Sequence, residues 1–252
     1  MPAIDLVVLI IVFFITTVVG VVTGSNSLIT VPVMFQLGID EKVAIATNMF
    51  GLTFMSIGAS IPFLRQDKIN VRRISPMIAL TIVGSAIGAA LVGLITNQAI
   101  KVIVSLAMIA MVLFTVVRRN PKYRERHHVG TELVVIAYVL TFLLAIYGGL
   151  YSGGYVTILT ATVIAFLGMT FSEAVASTKL INVFSSGIAT IVFAWQGLID
   201  YRLGLILAVT MFVGAVFGAH FATKLNEIWL RRIFMTTVFL LALKLIYDLA
   251  FR

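Results

Sequence analysis

The sequence predicts an all-α integral membrane protein made of two inverted repeats with about five hydrophobic segments each. Three observations support this prediction: apolar segments fill almost the whole chain, the two halves align with each other, and basic residues are concentrated in alternate loops. The predicted repeats cover residues 1–117 and 132–252, with a basic linker at 118–131 between them.

Composition places the chain in the membrane class. Of its 252 residues 61% are apolar and 11% are charged, and the mean hydropathy is +1.12. Soluble domains carry roughly 25% charged residues. At about 20 residues per helical span, the length allows some eight to ten crossings. This leaves no room for a separate soluble catalytic domain. The apolar segments run approximately over 6–22, 28–37, 43–64, 75–95, 99–117, 132–150, 155–168, 173–195, 203–222 and 228–250.

An internal repeat appears when the sequence is shifted by 130 residues against itself. Between Gly20 and Leu113 there are 21 identities in 94 positions without a gap. Identical pairs include Gly24 with Gly154, Gln66 with Gln196, Gly84 with Gly214 and Gly88 with Gly218. Apolar composition alone does not keep glycines and glutamines in register, so the pattern indicates a duplication.

The loop charges predict the topology. The net charge is +8, and in a membrane protein basic loops face the cytoplasm. Loops 65–73, 118–131 and 223–232 hold twelve Lys and Arg residues, whereas the alternate loops and the C-terminus hold four. The first set is therefore predicted to be cytoplasmic and both termini external. Loop 65–73 then faces inward and its repeat partner 196–202 outward, so the repeats are inverted. Nucleic-acid binding is not expected.

The second and seventh segments are short, and each follows a break in the helical pattern. The breaks are Gly24-Ser25-Asn26-Ser27 in the first half and Ser152-Gly153-Gly154 in the second. Irregular backbone at membrane depth is tolerated where it lines a cavity or is buried in protein. A helix starting there points its N-terminal N–H groups, with about half a positive charge, into the site. The breaks predict an anion site, the alternative being two tight turns between ordinary spans. The sequence leaves open whether the short segments cross the membrane or re-enter.

Polar side chains follow each short segment. Hydroxyls and amides recur at helical spacing, and Thr47 and Lys179 lie beside them. The recurring residues are Asn48, Ser56 and Ser60 in the first half, and Thr178, Asn182, Ser185 and Ser186 in the second. Such a stripe either binds helices together or lines a pathway. Lys179 favours a pathway, because a cation inside a span costs about 2.5–3.5 kcal/mol on insertion scales. The alternative is that its side chain snorkels to the membrane edge.

Other residue types give fewer functional signals. Gln66 and Gln196 occupy equivalent segment ends and are weaker candidates for a gate. No carboxylate cluster, HExxH motif or nucleophile arrangement is present, so we expect no enzymatic activity, catalytic residue, metal site or cofactor.

Several motifs, in order, resemble the TauE/SafE family of membrane anion transporters across essentially the whole chain. They are Gly24 to Pro32, Leu37-Gly38, Ala46-Thr47-Asn48, Ile146-Tyr147-Gly148-Gly149, Ser152-Gly153-Gly154, Thr178-Lys179-Leu180-Ile181-Asn182 and Gly197-Leu198-Ile199-Asp200. The resemblance implies transport of sulfite, sulfonates or related small anions across the bacterial cytoplasmic (inner) membrane. Many relatives carry a lysine after the first Ala-Thr-Asn, where this chain has Met49.

Together these features predict a secondary transporter that moves a small anion, such as sulfite or an organosulfonate, by alternating access. Its expected partners are the anion and the lipid bilayer, and a homodimer is left open. The predicted substrate-binding residues are Gly24, Ser25, Asn26, Thr47, Asn48, Ser152, Gly153, Gly154, Thr178, Lys179 and Asn182. A passive anion channel and a non-transporting membrane scaffold are the alternatives.

The topology is open to a direct test, because the chain contains no cysteine. Asn120→Cys, in the predicted cytoplasmic linker, should resist an impermeant thiol reagent in intact cells. Lys42→Cys, in a predicted external loop, should react. Ready labelling at position 120 together with protection at position 42 would reverse the predicted orientation.

Overall fold

A computed structural model describes residues 2–24, 26–66, 69–117 and 130–224, together with Trp229 and Arg232, and for 112–117 it describes the backbone alone. These residues form helices joined by short turns, without a strand in the described ranges. The helices are α1 (Ala3–Thr23), α2 (Ser27–Gln36), α3 (Glu41–Arg65), α4 (Val71–Leu94), α5 (Asn97–Val117), α6 (Thr131–Leu150), α7 (Tyr155–Leu167), α8 (Phe171–Trp195) and α9 (Tyr201–Lys224). Most of the predicted linker (118–129) and nearly all of the tenth predicted segment lie outside the described residues.

The long helices confirm the membrane class. Six of them, α1, α3, α4, α6, α8 and α9, are long and apolar enough to span a bilayer. Large apolar side chains are exposed along their outer faces, including Ile15, Leu143 and Val209. Such a surface is suited to acyl chains rather than water. The protein is therefore a multi-pass membrane protein.

Helix boundaries follow the 130-residue repeat. Helix α8 begins and ends 130 residues after α3, and α9 does the same relative to α4. The caps follow the same spacing. Asp40 and Thr170 cap α3 and α8 by accepting backbone N–H bonds, and Asn70 caps α4 in the same way. Asp200, 130 residues after Asn70, accepts the N–H of Leu203 at the start of α9. These caps satisfy N–H groups that a helix start leaves without intrahelical partners.

Side-chain contacts give the relative directions of the equivalent helices. Thr53 of α3 meets Thr190 of α8, whereas Ser56 of α3 meets Asn182 of α8. As the residue number increases along α3, the number of the contacting residue in α8 decreases, so α3 and α8 are antiparallel. Equivalent helices also have equivalent packing partners in the two halves. Helices α1 and α3 both pack on α9, and their equivalents α6 and α8 both pack on α4.

Both short helices return to the end of the molecule from which the preceding helix started. Pro2, before α1, and Gly38, after α2, line one cavity of about 480 Å³ together with Asp200. At the opposite end, the Arg73 guanidinium donates to the carbonyl of Leu167, the last residue of α7. The pairs α1–α2 and α6–α7 are thus helical hairpins whose tips lie inside the protein.

Glycines allow close contact between the hairpins and the long helices. A Cβ at Gly218 would lie 2.5 Å from the carbonyl oxygen of Val18 on α1, and one at Gly88 would lie 2.8 Å from the backbone nitrogen of Leu150 on α6. Equivalent glycines therefore seat the two hairpins on α9 and α4, as small residues do at membrane helix interfaces.

Gly218→Ala and Gly88→Ala should each lower stability by about 1–3 kcal/mol, because backbone atoms must move to admit a methyl group. The measurement is thermal unfolding of the purified protein in detergent. Gly187→Ala is the matched control, since its Cβ would meet Thr53 only at 3.9 Å. If all three variants unfolded at the same temperature, the close-packing interpretation would be wrong.

Candidate functional site

The two helix breaks are made by glycines in the left-handed region. Gly24 ends α1 with φ +73°, and its N–H donates to the Gly20 carbonyl at 2.8 Å. Gly154 precedes α7 with φ +81°. Residues with a Cβ rarely adopt this conformation, which accounts for glycine at both positions. The predicted breaks are confirmed.

The tips of the two hairpins contact each other. The Thr157 hydroxyl donates to the carbonyl of Thr23 at 2.6 Å, and the Tyr151 hydroxyl donates to the carbonyl of Ser27 at 3.0 Å. A Cβ at Gly24 would lie 2.9 Å from Cβ of Val156. The N-termini of α2 and α7 therefore lie close together in the protein interior, where both carry partial positive charge.

Lys179 lies beside these tips. It is the ninth residue of α8, about 12 Å along the helix from its start, and only 2% of it is exposed. Its ammonium donates to the Gly20 carbonyl at 2.7 Å, the same oxygen that accepts the Gly24 N–H. The side chain thus reaches across to the last turn of α1 instead of snorkelling along α8. No carboxylate among the described residues pairs with it.

Two asparagines near Lys179 have unused acceptors. Asn26 contacts Sδ of Met55 through its Nδ2 at 3.6 Å, and Asn182 donates to Oγ of Ser56 at 2.6 Å. The side-chain oxygen of each is buried and makes no hydrogen bond. We call Asn26, Lys179, Asn182 and the Gly20 carbonyl the central cluster. It combines one ammonium with two amides that have free hydrogen-bonding capacity.

Repeat-related hydrogen bonds attach each short helix to the helix after it. The Thr30 hydroxyl donates to Oδ1 of Asn48 at 2.8 Å, and the equivalent Thr160 and Thr178 hydroxyls lie 3.0 Å apart. Asn48 also donates to Oγ of Ser27 at 3.0 Å, at the start of α2. Asn48 and Thr178 therefore hold the short helices in place.

The structure places some of the predicted site residues elsewhere. Thr47 points away from the breaks, because its hydroxyl accepts the backbone N–H of Asp200 at 3.1 Å. Gln66 is exposed at the end of α3. Gln196, at the end of α8, donates to the Ala90 carbonyl at 3.3 Å. None of these three residues joins the central cluster.

The remaining predicted residues belong to the breaks. Ser152 is buried, and its carbonyl accepts the N–H of Tyr155. The Gly153 carbonyl accepts the Tyr147 hydroxyl. Ser25 lies outside the described residues.

Sequence reasoning missed three contributors, Gly20, Tyr151 and Thr157. Gly20 acts through its backbone carbonyl, which every residue type has, so no sequence signal could identify it. Tyr151 and Thr157 flank the second break, and their hydroxyls were the available signal. Each of them bonds the chain of the opposite half.

Comparison with known proteins identifies the family. The profile of the family described as "Sulfite exporter TauE/SafE" matches residues 8–245. The chain belongs to the TauE/SafE family. No solved structure matches it significantly.

Curated relatives are similar over almost their whole length. A probable membrane transporter protein, ORF9, from Sinorhizobium sp. is 25% identical over 93% of this chain and 90% of its own. A probable membrane transporter protein from Haemophilus influenzae is 25% identical over 93% and 92%. YfcA from Escherichia coli K12, named likewise, is 24% identical over 94% and 88%. Membership and these relatives support membrane transport as the function.

The tethers of the short helices make an energetic prediction. Asn48→Leu removes two hydrogen bonds to α2 and should cost about 1–2 kcal/mol. Thr178→Val removes one bond to α7, besides the bonds of the Thr178 hydroxyl to carbonyls of its own helix. Thr160 keeps its bond to the Val156 carbonyl, so the cost should be nearer about 0.6 kcal/mol. Thermal unfolding in detergent measures both. Equal stability of the two variants would contradict the role assigned to Asn48.

Proposed function

We propose that this TauE/SafE protein is a secondary transporter of a small anion, which binds at the central cluster. The observation that carries the proposal is Lys179, a buried ammonium that bonds a backbone carbonyl and pairs with no carboxylate in the part of the chain that the structure describes. It is placed where the N-termini of α2 and α7 converge. An anion at this point would interact favourably with all three positive ends.

Electrostatics favours an anion over other ligands. Each helix N-terminus carries about half an elementary positive charge, and this counts most where water is excluded. A buried cation without an ionic partner is costly, and one carbonyl offsets part of that cost. The Nδ2 groups of Asn26 and Asn182 can donate to oxygen atoms of a bound ion once they leave Sδ of Met55 and Oγ of Ser56. A bound anion neutralises the Lys179 ammonium, and this neutralisation is lost when the anion leaves.

The substrate class follows from the size and charge of the cluster together with the family description. One ammonium, two amides and two helix ends fit a small oxyanion. The description "Sulfite exporter TauE/SafE" supports sulfite, an organosulfonate or a related sulfur oxyanion. The first repeat has the buried, apolar Met49 at the position equivalent to Lys179. The proposed site therefore holds one fixed charge rather than a symmetric pair.

Alternating access is the proposed mechanism. The hairpins enter from opposite ends of the molecule and meet at the central cluster, and the equivalent helices α3 and α8 are antiparallel. This geometry supports repeats that are inverted across the membrane, in which rocking one half against the other opens the site to each side in turn. We assign the protein to the bacterial inner membrane, with both termini outside, from the charge bias of its loops.

A channel for the same anions is the competing function. A carrier shows transport rates that saturate with substrate and counterflow of labelled anion in proteoliposomes. A channel shows neither at comparable concentrations. The burial of Lys179, Asn26 and Asn182 favours the carrier, because this conformation encloses the site.

Lys179→Met is the decisive variant, because it installs the residue found at the equivalent position 49. It should abolish sulfite-dependent thermal stabilisation and transport, since the only charged side chain of the site is lost. Lys179→Arg should restore part of the binding, because the charge remains while its geometry changes. Thermal shift against a panel of anions, and uptake into proteoliposomes, are the measurements.

The controls separate folding from binding. The thermal transition of Lys179→Met without anion should stay cooperative and near or above that of the unmodified protein, because an unpaired buried charge has been removed. Normal transport by Lys179→Met would contradict the proposed site. The helix N-termini would then have to hold the anion without it.

A further inference from the structure

A second buried polar group lies on the other side of α8. It consists of four hydroxyl groups, contributed by Thr81 and Ser85 of α4, Tyr155 of α7 and Ser185 of α8. All four residues have 0% exposure. We call them the hydroxyl cluster. Lys179 is not part of it, because its ammonium points to α1.

The hydrogen bonds within the hydroxyl cluster are incomplete. Ser85 donates to the Ala145 carbonyl at 3.1 Å, and its oxygen lies 2.7 Å from that of Ser185. The Tyr155 hydroxyl lies against Thr81 and Ser185. At full hydrogen-bond distance and angle, however, the hydroxyls of Tyr155 and Thr81 have no partner within the described part of the chain. A buried polar group without a partner costs about 1–3 kcal/mol, so two together call for an explanation.

The orientation of the serines leaves acceptor lone pairs open to a cation. Because Ser85 donates to Ala145, Ser185 is left to donate to Ser85. Both serine protons are then used, and Ser185 offers only lone pairs to its other neighbours. The cluster also adjoins the last turn of α6, where a Cβ at Gly148 would lie 2.8 Å from the Tyr155 ring and one at Gly149 would meet Ser85. The α6 C-terminus carries partial negative charge, which attracts cations and offsets the partial positive charge of the α7 N-terminus, where Tyr155 is the first helical residue.

The repeat shows that packing does not require these hydroxyls. The positions equivalent to Thr81, Ser85 and Ser185 are Met211, Ala215 and Met55, and all three are buried. The same helix contacts are thus made with apolar side chains in the other half. The hydroxyls of Thr81, Ser85 and Ser185 thus have no counterpart in the other half, as expected of a binding site and not of a structural feature of the fold, and Ser25, equivalent to Tyr155, lies outside the described residues.

We propose that the hydroxyl cluster binds a monovalent cation of the Na⁺ class. Its donors are neutral oxygens, which suit a single positive charge, whereas Ca²⁺ and Mg²⁺ sites use carboxylates. Hydroxyls and carbonyls near an interrupted helix are the typical ligands of coupling ions in secondary transporters. Cation binding itself does not depend on the proposed anion site. Coupling of the cation to transport rests on the proposed function.

The test is thermal unfolding of the full-length protein in detergent, in NaCl and in N-methyl-D-glucamine chloride at equal ionic strength. Na⁺ should raise the unfolding temperature with a saturable dependence on concentration. Thr81→Val and Ser185→Ala should each weaken the apparent Na⁺ affinity by about tenfold or more, the scale on which metal sites respond to lost supporting groups. Thr141→Val is the matched control, because the buried Thr141 hydroxyl bonds only the Ala137 carbonyl of its own helix.

One further measurement distinguishes a cation site from a purely structural hydroxyl. Without Na⁺, Thr81→Val should be at least as stable as the unmodified protein, because it removes an unpaired buried hydroxyl. A buried water molecule in the cluster predicts instead that Na⁺ and N-methyl-D-glucamine give the same unfolding temperature. That result, or an unchanged Na⁺ response in both cluster variants, would overturn the proposal.

The two proposals can fail independently. Lys179→Met should lose the response to anions and keep the response to Na⁺. Thr81→Val should lose the Na⁺ response while anions added without Na⁺ still stabilise it. If the sites are coupled, Na⁺ must change the apparent anion affinity, and the anion must change that of Na⁺ by the same factor. Na⁺ binding without such a change would establish the site and exclude coupling.

Discussion

The structure depends on how two interrupted helices satisfy their backbone polar groups inside a membrane protein. No water is available in the hydrocarbon region, so each exposed carbonyl or N–H must find a protein partner. At the hairpin tips these partners come from the opposite half: Thr157 bonds the Thr23 carbonyl, and Tyr151 bonds the Ser27 carbonyl. Neither hairpin tip is complete without the other. The two repeats are therefore held together at the point where the backbone is irregular.

This arrangement brings like charges together. Two helix N-termini and the Lys179 ammonium meet in one buried region, with the last turn of α1 as the negative counterpart. The Gly20 carbonyl serves both Lys179 and the Gly24 N–H. Because the Gly20 carbonyl oxygen accepts from both donors, the Lys179 ammonium can still donate to a further acceptor, such as an oxygen of a bound anion. A transporter needs this property, since a site that is fully satisfied when empty has little reason to bind its ligand.

Much of the fold was predictable because it depends on local rules. The αL glycines at positions 24 and 154, the caps at Asp40 and Thr170 and the length of the apolar segments are all visible in the sequence. The partner of Lys179 was not, because an acceptor carbonyl belongs to the backbone and only the packing of α1 on α8 brings it there. Thr47 shows the reverse error. Its hydroxyl type fits a binding site, but the approach of α9 gives it the N–H of Asp200 as its partner.

The two halves share their backbone plan and differ in the polarity of a few buried positions. Short-helix tethers, caps and close-packing glycines occur in both, because each half must fold and seat its hairpin. Three buried polar residues have methionine at the equivalent position of the other repeat: Lys179 corresponds to Met49, Ser185 to Met55 and Thr81 to Met211. The polar residue lies in the second half in the first two pairs and in the first half in the third. Methionine is flexible enough to fill such spaces without new hydrogen bonds. A duplicated scaffold can therefore carry its charge and its hydroxyl cluster once each, while the symmetric contacts preserve the fold on both sides.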